Sequence, residues 1–169
     1  MIELTHDPDD SEALWRAHLK DETDTLAMGA KVAPALAPGL VVYLVGELGA
    51  GKTTLVRGLL RALGHTGSVK SPTYTLIEPY LVSRLNLYHF DFYRFTSPEE
   101  YLEAGLEEYF TDDGVCLVEW PDKAQPYVAA ADMEIGLTVA GNGREFTLRP
   151  MTELGRQCAR TMAAPSPPR

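Results

Sequence analysis

The sequence predicts an α/β fold with a central mixed, mostly parallel sheet flanked by helices and extended by an antiparallel hairpin. Three observations carry it. Short apolar, β-branched runs alternate with segments of helical period through the first half of the chain. The second half closes on two alternating segments either side of Gly141, Asn142 and Gly143, a hairpin turn signature. A length of 169 residues, 45% hydrophobic and 23% charged, suits one hydrophobic core rather than two.

Residues 1–12 show little periodicity and are expected to form a flexible lead-in, with a single domain over 13–150. Residues 151–169 would be a C-terminal extension whose end, with Pro165, Pro167 and Pro168, is too proline-rich to pack. Trp15, Ala17 and Leu19 alternate with Arg16, His18 and Lys20, which gives a strand one apolar face. Side chains at 21–25 can cap the helix that follows, where Leu26, Ala30 and Ala33 recur until Pro34 and the Pro38-Gly39 turn. Residues 40–45 contain no charged position, so this strand should be covered on both faces and lie centrally. Leu55, Leu59 and Leu63 mark a helix over 52–63 that stops at Gly64.

Residues 74–77 and 85–93 are rich in strand formers and predict two antiparallel strands joined by an excursion over 79–84. Ser97, Pro98 and Glu100 supply a capping serine, a first-turn proline and a glutamate at the third helical position. That helix should end near Gly105, with a further turn over 106–110. Val115, Cys116, Leu117 and Val118 form a buried-type strand with Glu119 at its tip, and Pro121 prevents its continuation. The hairpin strands cover 133–139 and 144–149, and a last helix is expected over 152–162.

With 24 acidic and 15 basic residues the formal net charge is -9, the wrong sign for gripping nucleic acid unaided. The longest apolar run, 40–45, falls far short of the ~20 residues a membrane span needs. An acidic N-terminus and only two cysteines, Cys116 and Cys158, imply neither a secretory signal nor a disulfide framework. A soluble, cytoplasmic protein is expected.

Residues 46–53, Gly-Glu-Leu-Gly-Ala-Gly-Lys-Thr, satisfy G-x-x-x-x-G-K-[ST] and lie between a predicted strand and a predicted helix, the context that gives this motif its meaning. Glycines let backbone N–H groups turn toward phosphate oxygens, and the helix N-terminus adds a favourable dipole. Lys52 can bridge the β- and γ-phosphates, and Thr53 offers a hydroxyl to magnesium. The fold expected is therefore P-loop NTPase-like. Motors, kinases, GTPases and switch ATPases all share this loop, so it does not identify the reaction. The chain contains no Asn-Lys-x-Asp string, which favours adenine over guanine. Glu119, at the tip of an apolar strand, is the candidate second metal ligand. Asp91 lies in an aromatic run, where a carboxylate is costly unless it faces a wet cleft, and it is the candidate acidic group near the metal or the attacking water. His89, two residues earlier on the same face, reads as structural. Ser71, Thr73 and Tyr74 flank a rigid proline where a segment sensing the γ-phosphate would sit.

In order and spacing, GELGAGKTTLVRGLL, SPTYTLIEPY, YHFDFYR and CLVEWPDKA resemble the TsaE family, small ATPases of the bacterial tRNA threonylcarbamoyladenosine pathway, over about residues 14–149. The resemblance implies a protein that binds ATP and Mg2+ and hydrolyses ATP slowly alone. It would work with TsaB and TsaD in adding threonylcarbamoyl to the adenosine beside the anticodon, TsaD carrying the transfer chemistry and tRNA being reached only through these partners. On this resemblance Leu48, Gly49, Ala50, Gly51, Lys52, Thr53 and Thr54 hold the phosphates, and Thr53 and Glu119 the magnesium. Lys52, Asp91 and Glu119 would be catalytic, while Glu22 and Gly143, with its neighbour Arg144, approach the nucleotide. Trp120 would lie beside the metal ligand and report its state. The N-terminal extension and the tail beyond Pro150 depart from the family pattern. Two other readings use the same loop. A small-molecule kinase would need arginines clustered in a lid, whereas Arg57, Arg61, Arg84, Arg94, Arg144 and Arg149 are scattered. A non-hydrolysing nucleotide-dependent scaffold would leave Asp91 and Glu119 structural. In the phosphate-loop reading Lys52→Ala abolishes nucleotide binding measured by calorimetry, and unchanged affinity would remove the assignment.

Overall fold

The computed structural model describes residues 2–6 and 14–164. Among them eight strands join in one mixed sheet: β1 (Thr5–His6), β2 (Trp15–Leu19), β3 (Val41–Val45), β4 (Ile77–Val82), β5 (Leu85–Asp91), β6 (Gly114–Glu119), β7 (Met133–Ala140) and β8 (Gly143–Pro150). Their order is β1-β2-β8-β7-β3-β6-β5-β4. β3 sits in the interior of the sheet, as its uninterrupted apolar run demands, and pairs in parallel with β6 and β7. β5 adds in parallel to β6. The remaining pairs, β1 with β2, β2 with β8, β7 with β8 and β4 with β5, are antiparallel. The expectation of a mostly parallel sheet is corrected accordingly. Four parallel strands form the centre, and the late hairpin recruits β2 on one side while β4 closes the other.

Alternation along the central strands divides the interior into two cores. Val42 and Leu44 of β3 face a layer containing Met28, Val32, Leu55 and Leu59. Val41 and Tyr43 face Phe90, Phe92, Tyr101 and Val118. The first layer is covered by α1 (Glu22–Val32), α2 (Lys52–Ala62) and α4 (Glu153–Ala163). The second is covered by α3 (Glu99–Glu103) and the short 3-10 turns Leu106–Tyr109 and Pro121–Ala124. The caps fall where the sequence places them. Asp21 Oδ1 accepts from Asp24 N at 2.9 Å, and Ser97 Oγ accepts from Glu99 N at 3.3 Å while Glu100 Oε2 accepts from Ser97 N at 3.2 Å.

Three segments differ from expectation. Residues 74–76 are not strand: Leu76 N donates to Pro72 O at 2.8 Å, and Leu76 itself has φ +69°, so the chain turns before β4 begins. β4 then runs straight through Pro79, which is tolerated because β4 is the outermost strand. The connection to β5 is only Ser83-Arg84, both left-handed at φ +46° and +66°. Within the supposed lead-in, Thr5 and His6 pair with Arg16 and Trp15, and Ile2 and Leu4 pack on the helix-side core. The rest of the lead-in, with residues 7–13, and the proline-rich end 165–169 lie outside the described residues. No helix among the described residues is long and apolar enough to cross a membrane.

α1 and α2 approach until backbone nearly meets backbone. A Cβ at Gly29 would lie 2.1 Å from the Leu55 carbonyl oxygen, and one at Gly58 would lie 2.1 Å from that of Leu26. α2 begins at the end of the glycine-rich loop 46–51, so this crossing fixes where the loop sits relative to α1. Gly58→Ala forces the helices apart and is expected to lower stability by about 1–3 kcal/mol in urea unfolding. An unchanged midpoint and slope would contradict the close crossing.

Candidate functional site

The chain between the end of β3 and the start of α2 must reverse within six residues, and Gly49 and Gly51 make that turn at φ +79° and +105°, values that side chains with a Cβ avoid. The first turn of α2 carries no acidic residue, so its unsatisfied N–H groups are free to favour an anion. A cleft of about 290 Å³ opens there. It is bounded by Leu48, Gly49, Gly51, Lys52, Thr53 and Thr54 on one side and by Ser71, Thr73, Asp91 and Glu119 on the other. A recess of about 190 Å³ shares Gly49, Gly51 and Thr54 with it and is closed by Glu22, Gly143 and Arg144. Ala50 alone of the expected loop residues is not brought to the cleft. It is 1% exposed and packs into the helix-side core. Its carbonyl accepts Arg144 Nε at 2.9 Å, and Arg144 Nη2 donates to Gly49 O at 3.2 Å, so β8 holds the loop from behind.

Three charged side chains lie almost out of water here: Lys52 at 6%, Asp91 at 2% and Glu119 at 3% exposure. The parallel register of β5 and β6 makes Asp91 and Glu119 direct partners. Lys52 Nζ donates to the Gly46 carbonyl, lies 3.7 Å from Glu119 Oε1 and sits 4.7 Å from the centre of the Trp120 ring. Glu119 Oε2 is 2.7 Å from His89 Nε2. Asp91 Oδ2 accepts from Thr73 Oγ1 at 3.0 Å and Oδ1 from Tyr93 N at 2.8 Å. Ser71 Oγ is 2.7 Å from Thr73 Oγ1, so the segment expected to sense phosphate is tied directly to Asp91. Burial pushes the Asp91 carboxyl above its ordinary value; the Tyr93 N–H opposes the rise and the Glu119 charge reinforces it.

Thr53 and Glu119 both border the cleft, and a hydroxyl with a carboxylate is a hard oxygen pair suited to magnesium, which completes its shell with water and phosphate. The family resemblance implies that Glu22 and Gly143 approach a nucleotide, and both line the recess beside the loop. Two features escape the sequence. An imidazole inside an aromatic run reads as core, yet His89 bonds Glu119; period-two alternation, which sets it on the face of Asp91, was the available signal. Arg144 lines the recess with Gly143, and its grip on the loop's own carbonyls from far along the chain is what the sequence does not show.

The family model described as threonylcarbamoyl adenosine biosynthesis protein TsaE matches residues 19–146. A Haemophilus influenzae protein named tRNA threonylcarbamoyladenosine biosynthesis protein TsaE is 42% identical over 144 residues, covering 82% of this chain and 91% of its own. A Bacillus subtilis protein of the same name is 43% identical over 135 residues, covering 79% and 82%. The crystal structure of Bacillus subtilis YdiB superposes with a TM-score of 0.73 at 33% identity, over 96% of each chain.

The raised carboxyl of Asp91 has a signed consequence. Its folded-state value exceeds the unfolded one, so this group's contribution to stability is full below the ordinary carboxylate range and is lost as pH rises through the folded value. Asp91→Asn keeps the shape and removes the charge. Its Tm should exceed the parent's at neutral pH, and the gain should shrink as pH falls and vanish below about pH 3, where the parent's carboxyl is protonated in both states. A Tm difference independent of pH would contradict the assignment.

Proposed function

The chain belongs to the TsaE family, and from that premise we propose that it is a magnesium-dependent ATPase of P-loop NTPase-like fold that acts with TsaB and TsaD in forming threonylcarbamoyladenosine on tRNA. The observation that carries this reading is the convergence of Lys52, Thr53, Asp91 and Glu119 on one cleft at the N-terminus of α2. In this reading the loop N–H groups and Lys52 bind the phosphates, and the ammonium exchanges the Gly46 carbonyl for phosphate oxygens. The recess of Glu22 and Gly143 takes the nucleoside end of ATP. Thr53 and Glu119 would hold magnesium, which when bound neutralises charge on the β- and γ-phosphate oxygens. Water attacks the γ-phosphorus, the bond to ADP breaks, and Asp91 accepts the proton, a role that a carboxyl raised by burial fits.

The segment 71–74 is the coupling element in this account. Thr73 bonds Asp91, while Tyr74 is 81% exposed with the Arg94 guanidinium 4.0 Å from its ring centre. ATP stabilises a form of this segment that docks on the partner, and hydrolysis resets it. A net charge of -9 leaves tRNA to the partners, in the cytoplasm.

The test is ATP hydrolysis by the purified chain, alone and with TsaB and TsaD. Turnover should be slow alone and rise with the partners, with no phosphate appearing on a metabolite. Glu119→Ala should lose at least about 10²-fold in turnover while partner binding persists. Fast turnover indifferent to the partners, or phosphate transferred to a small molecule, would replace this reading with a kinase.

A further inference from the structure

We propose that His89 is a positioning residue for Glu119, keeping its carboxylate in place for the metal whether or not Lys52 has left it for the nucleotide. The inference rests on the reading above, in which Glu119 holds magnesium.

The two oxygens of Glu119 are engaged differently. Oε2 is 2.7 Å from His89 Nε2, whereas Oε1 faces Lys52 Nζ at 3.7 Å, an ion pair beyond hydrogen-bond length. In the metal reading Glu119 is a carboxylate, which only accepts, so in that reading the ring donates from Nε2. Nδ1 is then a bare acceptor, buried and without a hydrogen-bond partner among the described residues. That arrangement is costly in the layer where it occurs. His89 is 0% exposed, its register partner on β6 is Leu117, and the residue two earlier on β5 is Leu87, both in the helix-side core. An aliphatic side chain would fill the position with no orphaned nitrogen. The imidazole's single hydrogen bond there is to Glu119.

Lys52 cannot do this work throughout the cycle. Its ammonium already shares itself between Glu119 and the Gly46 carbonyl, and binding phosphate requires it to turn away. Without His89, Glu119, only 3% exposed, would then be a buried side chain with no partner to hold its orientation. His89 stands on an interior strand and cannot follow the nucleotide, so its bond persists when the lysine has left. Partners of this kind behind a metal ligand are worth about 10–100-fold in metal affinity.

The experiment titrates manganese into the protein with ADP present and reads free manganese by electron paramagnetic resonance. A parallel titration measures ADP affinity in EDTA. His89→Met should weaken manganese about 10–100-fold and leave metal-free ADP affinity unchanged, and His89→Gln, whose amide can donate, should recover most of the loss. Equal manganese affinity in His89→Met, or equal losses in both titrations, would overturn the proposal. Should His89→Met fail to fold, nitrogen-15 shifts of the wild-type ring decide. An Nε2-protonated tautomer that persists on adding ADP and magnesium supports it, and an Nδ1-protonated ring, or a change of tautomer, overturns it. Wild-type protein that binds ADP in EDTA yet takes up no manganese would instead overturn the metal reading of Glu119 and the positioning role with it.

Discussion

A carboxyl group removed from water needs partners for both its oxygens, and Glu119 sets that requirement at the tip of β6. The surrounding site can be read as the answer to it. The glycine-rich loop leads into Lys52, the first residue of α2, β5 supplies His89, and the same parallel register sets Asp91 beside Glu119. Asp91 in turn draws its two hydrogen bonds from Thr73 and Tyr93, which ties a segment outside the sheet to the buried charges. The cleft is thus lined by a network in which no charged side chain can be moved without disturbing the next.

The scaffold confines the loop on three sides. β3 delivers it from the interior of the sheet, the glycine-to-backbone crossing of α1 and α2 fixes the helix it opens, and Arg144 grips two of its carbonyls from β8. The third restraint explains why the late hairpin and β2 belong to the functional unit. They hold Arg144 and Gly143 against the recess that adjoins the cleft of Lys52, Asp91 and Glu119.

What was legible in the sequence was mostly local. Strand, glycine loop and helix follow one another without interruption over 41–62, and the cap residues Asp21 and Ser97 act within a few residues of themselves. The sheet's balance of parallel and antiparallel pairs was not legible, because β8 chooses β2 across more than a hundred residues and no period records that choice. Ser83-Arg84 makes a left-handed two-residue turn without the glycine or asparagine that normally announces one, so the strand ending at Val82 read as an excursion around Pro79. Thr5 and His6 form too short a strand to show alternation. His89 was visible as a residue on the correct face, but its partner lies thirty residues on, on a neighbouring strand.

The most direct measurement of the central claim is a crystal structure with a non-hydrolysable ATP analogue and magnesium. The account predicts that Lys52 Nζ leaves the Gly46 carbonyl for the phosphates, that the metal lies between Thr53 and Glu119, and that the nucleoside occupies the recess of Glu22 and Gly143. A nucleotide lodged instead in the cavity of about 450 Å³ bordered by Tyr43, Trp120 and Gln125, with Lys52 still on Gly46, would contradict it.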